Sequence, residues 1–204
     1  MAWTTQKYIN LRATQAYVTD GTNQTSLNED DVAGGVYPIS VTLDSDTFNI
    51  GFTDPPQYRD RDSGADARLA GIGFGNNDGA GVRELRINTP AANIGVRLAF
   101  GDPAGDHPYQ EWAIYNDTTL LETIVVSTNT PATQWRDAFG TLHTSNANWI
   151  ANNAEKTYNI TSGILWVKYC SVAAQTDVTC LATVGFRQIA TAGSPRNLLL
   201  LGVG

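Results

Sequence analysis

The sequence predicts an all-β fold, a single jelly-roll β-sandwich of roughly ten short antiparallel strands joined by long polar loops. Three observations carry this. Apolar residues recur at a period of two, as Leu85 and Ile87 do among Glu84, Arg86 and Asn88, and as Ile94, Val96, Leu98 and Phe100 do among Gly95, Arg97 and Ala99. Turn-forming pairs and prolines separate these stretches, for example Asp54-Pro55-Pro56 and Asn116-Asp117. No stretch sustains a period of 3.6.

Taken in order, Tyr8-Ile9-Asn10-Leu11 and Ala16-Tyr17-Val18 read as strands, and residues 20–31 as a polar loop. Residues 36–43 form a strand whose Pro38 suggests an edge or a bulge, and residues 48–52 form another. The charged run Arg59-Asp60-Arg61-Asp62 leads into a glycine-rich connection, Gly71-Ile72-Gly73-Phe74-Gly75. The two alternating stretches then read as a hairpin, with Thr89-Pro90-Ala91-Ala92 as its turn. Residues 110–115 and 120–127 are strands, the second β-branched and buried-looking. Residues 135–139 suggest a short helical turn or an irregular segment, and 146–153 a polar stretch around Trp149-Ile150. Strands follow at 157–160, 164–170 and 180–189. The sandwich is expected to occupy 1–189, with 190–204 a linker and an apolar tail, Leu198-Leu199-Leu200-Leu201.

With 204 residues and a formal net charge of -7, the chain is large enough for one core and too acidic to favour nucleic acid or an anionic membrane. No apolar run approaches a membrane span and no secretory signal precedes the first strand, so synthesis in a host cytoplasm is expected.

The residues that could carry chemistry are few. The two histidines, His107 and His143, sit near no Gly-x-Ser-x-Gly elbow and read as loop residues. Glu84, Glu111 and Glu122 lie in predicted strands with nothing to pair them as glycosidase carboxylates. An enzyme is therefore not expected, and no cofactor. Asp60, Asp62 and Asp66 share one loop and offer oxygen ligands for a structural calcium; Arg59, Arg61 and Arg68 could satisfy them as ion pairs instead. Of the five tryptophans, Trp112 and Trp166 lie among apolar neighbours and read as core. Trp135 and Trp149 lie among Asn and Thr, and are the candidates for a carbohydrate or partner contact, packing under a loop being the alternative. Cys170 and Cys180 bracket a polar loop between two strands, and the reading leans to a disulfide over two free thiols.

The order of the central stretch carries a resemblance. An Arg-Asp run, then Glu84-Leu85-Arg86-Ile87-Asn88, Pro90, and Val96-Arg97-Leu98-Ala99-Phe100-Gly101-Asp102 resemble the middle of the galactose-binding and malectin-like β-sandwich domains. Such non-catalytic domains are appended to polysaccharide-degrading enzymes and also occur in bacteriophage virion proteins. The resemblance implies a jelly roll rather than a particular site. Two functions are expected from this together with the missing secretory signal, the few catalytic candidates, the apolar tail and the loop tryptophans. The first is a virion surface component, a capsid decoration or a head or tail fibre protein. It would assemble with other virion proteins and copies of itself, the tail Leu198 to Leu201 adding as a strand to a neighbour, the alternative being that it folds back as a last strand of its own sandwich. The alternative is an extracellular carbohydrate-binding module that holds a polysaccharide through loop aromatics.

Overall fold

The computed structural model describes residues 5–11, 23–27, 35–60, 67–76, 82–170 and 178–190. Two sheets face each other, as expected of a β-sandwich. Among the described residues there are fifteen strands rather than ten, because several loops hold short strands of their own.

One sheet has six strands in the order β10(Thr119–Val126), β9(Gln110–Asn116), β14(Ile164–Tyr169), β7(Arg83–Asn88), β4(Asp46–Phe52) and β3(Ile39–Leu43), all antiparallel. The other has nine and is built on β8(Ala92–Phe100) and β15(Val178–Gln188). Along β15, the first residues pair with β6(Gly71–Asn76) and the later ones with β1(Lys7–Leu11). β6 pairs in turn with β5(Gln57–Asp60). β2(Gln24–Leu27), inside the expected polar loop, runs parallel to β1. β8 is flanked on its other edge by β13(Lys156–Ile160) and β11(Trp135–Arg136), which pairs with β12(Leu142–His143).

The main core lies between the sheets. Leu85, Ile87, Ile114, Leu165, Val167 and Tyr169 face Ile9, Ile94, Val96, Leu98, Val184 and Phe186. Aromatic rings join the layers: Phe100 stacks on Trp112 with centroids 4.3 Å apart, and Phe48 meets Phe186 edge-on at 5.4 Å. The nine-stranded sheet is buried on its second face too. There Tyr8, Ile72, Phe74, Ala99, Cys180 and Ala182 pack with Leu69, Trp135 and Trp149. A 3-10 turn, Ala67–Leu69, and the short helix α1(Asn146–Asn152) supply part of this cover. Ser145 caps α1 by accepting from the Asn148 amide at 3.1 Å.

Several expectations are corrected by this arrangement. β7 and β8 do not form a hairpin: Pro90 ends one strand, and the chain crosses to the opposite sheet. β14 and β15 are divided between the sheets in the same way. The glycine-rich connection is strand β6, with Ile72 and Phe74 on the outer cluster and its glycines facing the main core. A Cβ on Gly73 would stand 2.7 Å from Leu11 Cδ1, so the core packs directly on backbone there. β10 is an edge strand and is mostly exposed, with Leu120 at 51% and Val125 at 55%, and only Val126 at its end is buried. The leucines Leu198, Leu199, Leu200 and Leu201, like the rest of 191–204, lie outside the described residues. Among the described residues no helix is long and apolar enough to cross a membrane.

Candidate functional site

Alternation along β14 decides its two faces. Leu165, Val167 and Tyr169 enter the core, so Trp166 and Lys168 emerge on the outer face of the six-stranded sheet. Register then sets their neighbours. Trp166 stands opposite Tyr115 of β9 and Arg86 of β7, and Arg86 stands opposite Gly51 of β4. Gly51 has φ +143°, and a Cβ there would lie 2.5 Å from the Tyr37 amide nitrogen. Its bare backbone thus lets the segment carrying Tyr37 dock, held by Tyr37 N–H donating to Phe52 O at 2.9 Å.

The result is a ladder in which rings and cations alternate. Lys168 Nζ lies 4.5 Å from the Tyr115 ring centroid and 4.4 Å from that of Trp166. The Arg86 guanidinium lies 5.4 Å from Trp166 and 4.6 Å from Tyr37. The two cations differ. Lys168 is neutralised by Glu84, 2.5 Å away and directly opposite in register. Among the described residues Arg86 meets two rings, its buried Nε finds no hydrogen-bond partner, and no carboxylate pairs with it. Beyond Arg86, Tyr37 Oη–H donates to Asn88 Oδ1 at 2.8 Å. Asn88 also lines an open depression with Thr47, Asn49, Thr89 and Pro90. Rings, an uncommitted guanidinium, amides and hydroxyls therefore share one solvent-facing surface.

These positions correct the contact expectation for Trp135 and Trp149, which take the alternative of packing under a loop. Trp135 and Trp149 are 0% exposed and cannot stack on a ligand. Trp135 Nε1 donates to Asn146 Oδ1 at 2.7 Å, a use for its polar neighbourhood, and Trp149 Nε1 donates to the backbone carbonyl of Leu98 in β8 at 3.0 Å. Trp112 is core as expected, whereas Trp166 is half-buried on the outer face of the six-stranded sheet.

The disulfide expectation is also corrected: Cys170 and Cys180 are buried free thiols. Cys170 belongs to the main core and donates to Gly75 O at 3.1 Å, while Cys180 belongs to the cluster on the far side of the same sheet. Burial pushes the Cys170 thiol up to about 11. Of the calcium candidates, Asp60 ends β5 opposite Gly71, and Asp62 and Asp66 lie outside the described residues. Arg59 stacks on Phe74 at 4.2 Å.

Both histidines are buried, each beside an aspartate. His143 Nε2 is 3.0 Å from Asp137 Oδ2 and its Nδ1 3.2 Å from Asn148 Oδ1. Asp137 Oδ1 accepts from Phe139 N–H at 2.8 Å and Thr141 N–H at 3.0 Å. With both ring nitrogens engaged, the histidine braces the loop ahead of α1. His107 Nε2 lies 3.9 Å from Asp102 Oδ2 and 3.5 Å from Cys180 Sγ. Among the described residues this is the one cluster of three whose donor atoms could hold a metal ion. Cys180 is 73 positions from His107, too far for any spacing motif to have joined them.

No family model matches the chain, and no curated protein matches it in sequence. Among solved structures it is similar to protein YXIM from Bacillus subtilis, at 11% identity and a TM-score of 0.47, covering 91% of this chain and 40% of that one. It is similar to a Bacteroides uniformis β-glucuronidase at 12% identity and a TM-score of 0.44, covering 91% and 18%. It is also similar to a family 35 carbohydrate-binding module from an environmental isolate, at 16% identity and a TM-score of 0.40, covering 70% and 93%. The chain thus spans well under half the length of the first two.

Proposed function

We propose that this domain binds a polysaccharide, without cleaving it, through the outer face of the six-stranded sheet. The observation that carries the reading is the Tyr115–Lys168–Trp166–Arg86–Tyr37 ladder beside the Asn88 depression. Pyranose rings offer apolar C–H faces and rims of hydroxyls. Aromatic surface suits the faces, and fixed polar groups select among the rims. Arg86 adds a preference. A guanidinium with no partner of its own pairs best with a planar carboxylate, in two parallel hydrogen bonds. A polysaccharide bearing uronate groups is therefore the favoured class. The virion role draws on the resemblance, the missing secretory signal, the few catalytic candidates and the apolar tail; the tail lies outside the described residues, and no described feature favours this role over ligand binding.

The test is retention on immobilised polysaccharides, neutral and uronate-bearing, followed by calorimetry on the best ligand. Trp166→Ala is expected to weaken binding by at least about tenfold, as loss of a central aromatic contact does. Arg86→Lys should lose the uronate preference while keeping the charge. The ligand chain length should stay unchanged on incubation. If the protein binds none of the panel, or if Trp166→Ala binds as well as the parent, the reading is wrong.

A further inference from the structure

We propose that Asp102, His107 and Cys180 form a site for a zinc-class transition-metal ion, which ties the loop 102–109 to β15. The three side chains contribute a carboxylate oxygen, an imidazole nitrogen and a thiol sulfur, and these donor atoms all lie within 4.8 Å of one another. Ligands about 2.0–2.3 Å from a tetrahedral ion stand roughly 3.3–3.7 Å apart. Here Sγ to Nε2 is 3.5 Å and Nε2 to Oδ2 is 3.9 Å, with the third pair inside 4.8 Å, so an ion would draw Asp102 inward toward the other two donors.

The direction of approach separates an ion site from a catalytic relay. In a cysteine–histidine–aspartate relay the thiol and the carboxylate use opposite ring nitrogens, because a proton has to pass through the imidazole. Here both lie nearest the same nitrogen, Nε2. Convergence of three unlike donors on one point is what a shared ion requires. All three groups are buried, at 5%, 5% and 1% exposure, which also withholds the thiol from a bulky substrate.

The scaffold holds the donors before any ion arrives. Gly101 N–H donates to Cys180 O at 2.9 Å, fixing the start of the loop against β15. Asp102 Oδ1 accepts from Ala104 N–H at 2.8 Å, which orients the carboxylate with Oδ2 toward the histidine. His107 is pinned by paired backbone bonds with Thr130, at 2.9 and 2.8 Å. Gly105 leaves a fourth position: a Cβ there would sit 3.8 Å from both Asp102 Oδ2 and His107 Nε2, so its absence leaves space for a water beside the donors. The mixed sulfur, nitrogen and oxygen set suits zinc, and cobalt(II) as its stand-in. Calcium and magnesium would demand oxygen throughout.

Cobalt(II) tests the proposal on the full chain after dialysis against a chelator. One equivalent is expected to give a sulfur-to-cobalt charge-transfer band with intense visible bands of tetrahedral type, and zinc should displace it. Cys180→Ser should lose the charge-transfer band and His107→Ala the tight binding, while Cys170→Ser keeps both. If a variant misfolds, the parent decides: its melting temperature should rise with zinc and not with calcium. A parent with no charge-transfer band, a band that survives in Cys180→Ser, or a melting temperature indifferent to zinc would each overturn the site.

Discussion

Trp149 shows how much one side chain holds. It is wholly enclosed in the outer cluster of the nine-stranded sheet, and its indole N–H satisfies the Leu98 carbonyl. Trp149→Ala should therefore cost about 3–5 kcal/mol, the range for emptying a large aromatic site, with one carbonyl left unpaired as well. Urea unfolding of this variant beside Trp166→Ala checks it. The second should lose far less stability, because its ring lies on the outer face. Equal losses would mean that the two rings share one environment. Reading these rings from sequence failed for a specific reason. Asn146, Asn148 and Asn152 around Trp149 suggested exposure, but a seven-residue helix can be polar nearly all round and still bury one residue. Around Trp166 the apolar neighbours Leu165 and Val167 suggested burial. In a strand, neighbours point the opposite way, and the residue that shares a face with Trp166 is Lys168. That signal was present in the alternation and was outweighed by local composition.

At the scale of elements, alternation located most strands and said nothing of their partners. Leu85 and Ile87 face inward from one sheet, and Ile94, Val96 and Leu98 face inward from the other, so a sandwich crossing looks the same in sequence as a hairpin. The Asp102–His107–Cys180 cluster was hidden for the same reason, since only the register of β8 against β15 brings Cys180 beside the loop. The docking of the Tyr37 segment on β4 is the element-scale feature most open to test. Gly51→Ala places a Cβ against the Tyr37 backbone at a φ that L residues rarely adopt. The expected loss is roughly 2–4 kcal/mol from overpacking and backbone strain together. Because Tyr37 flanks Arg86, ligand binding should fall too. Unchanged denaturation and unchanged binding in Gly51→Ala would show that the segment does not need this close approach.

For the molecule as a whole, burial of protonated groups predicts an asymmetric response to pH. Burial raises the Cys170 thiol from 9.0 to about 11. It raises Tyr109 from 10.0 to about 12, helped by the hydrogen bond to Glu111 and by that carboxylate's charge. Tyr158 and Tyr169 are also raised, chiefly by burial. Each group ionises in the unfolded chain before it does so in the folded one. Below pH 9.0 both states keep the Cys170 proton, and its full contribution to stability is present. From 9.0 to about 11 the unfolded chain releases that proton while the folded chain holds it. Stability then falls by about 1.4 kcal/mol per pH unit from this thiol alone. Tyr109, Tyr158 and Tyr169 extend the fall above pH 10.0. The melting temperature should thus hold steady up to pH 9.0 and drop progressively beyond it, and Cys170→Ser should make the first part of the drop shallower. A melting temperature that stays level to pH 11, or a drop just as steep in Cys170→Ser, would show that the thiol is not held protonated by the fold.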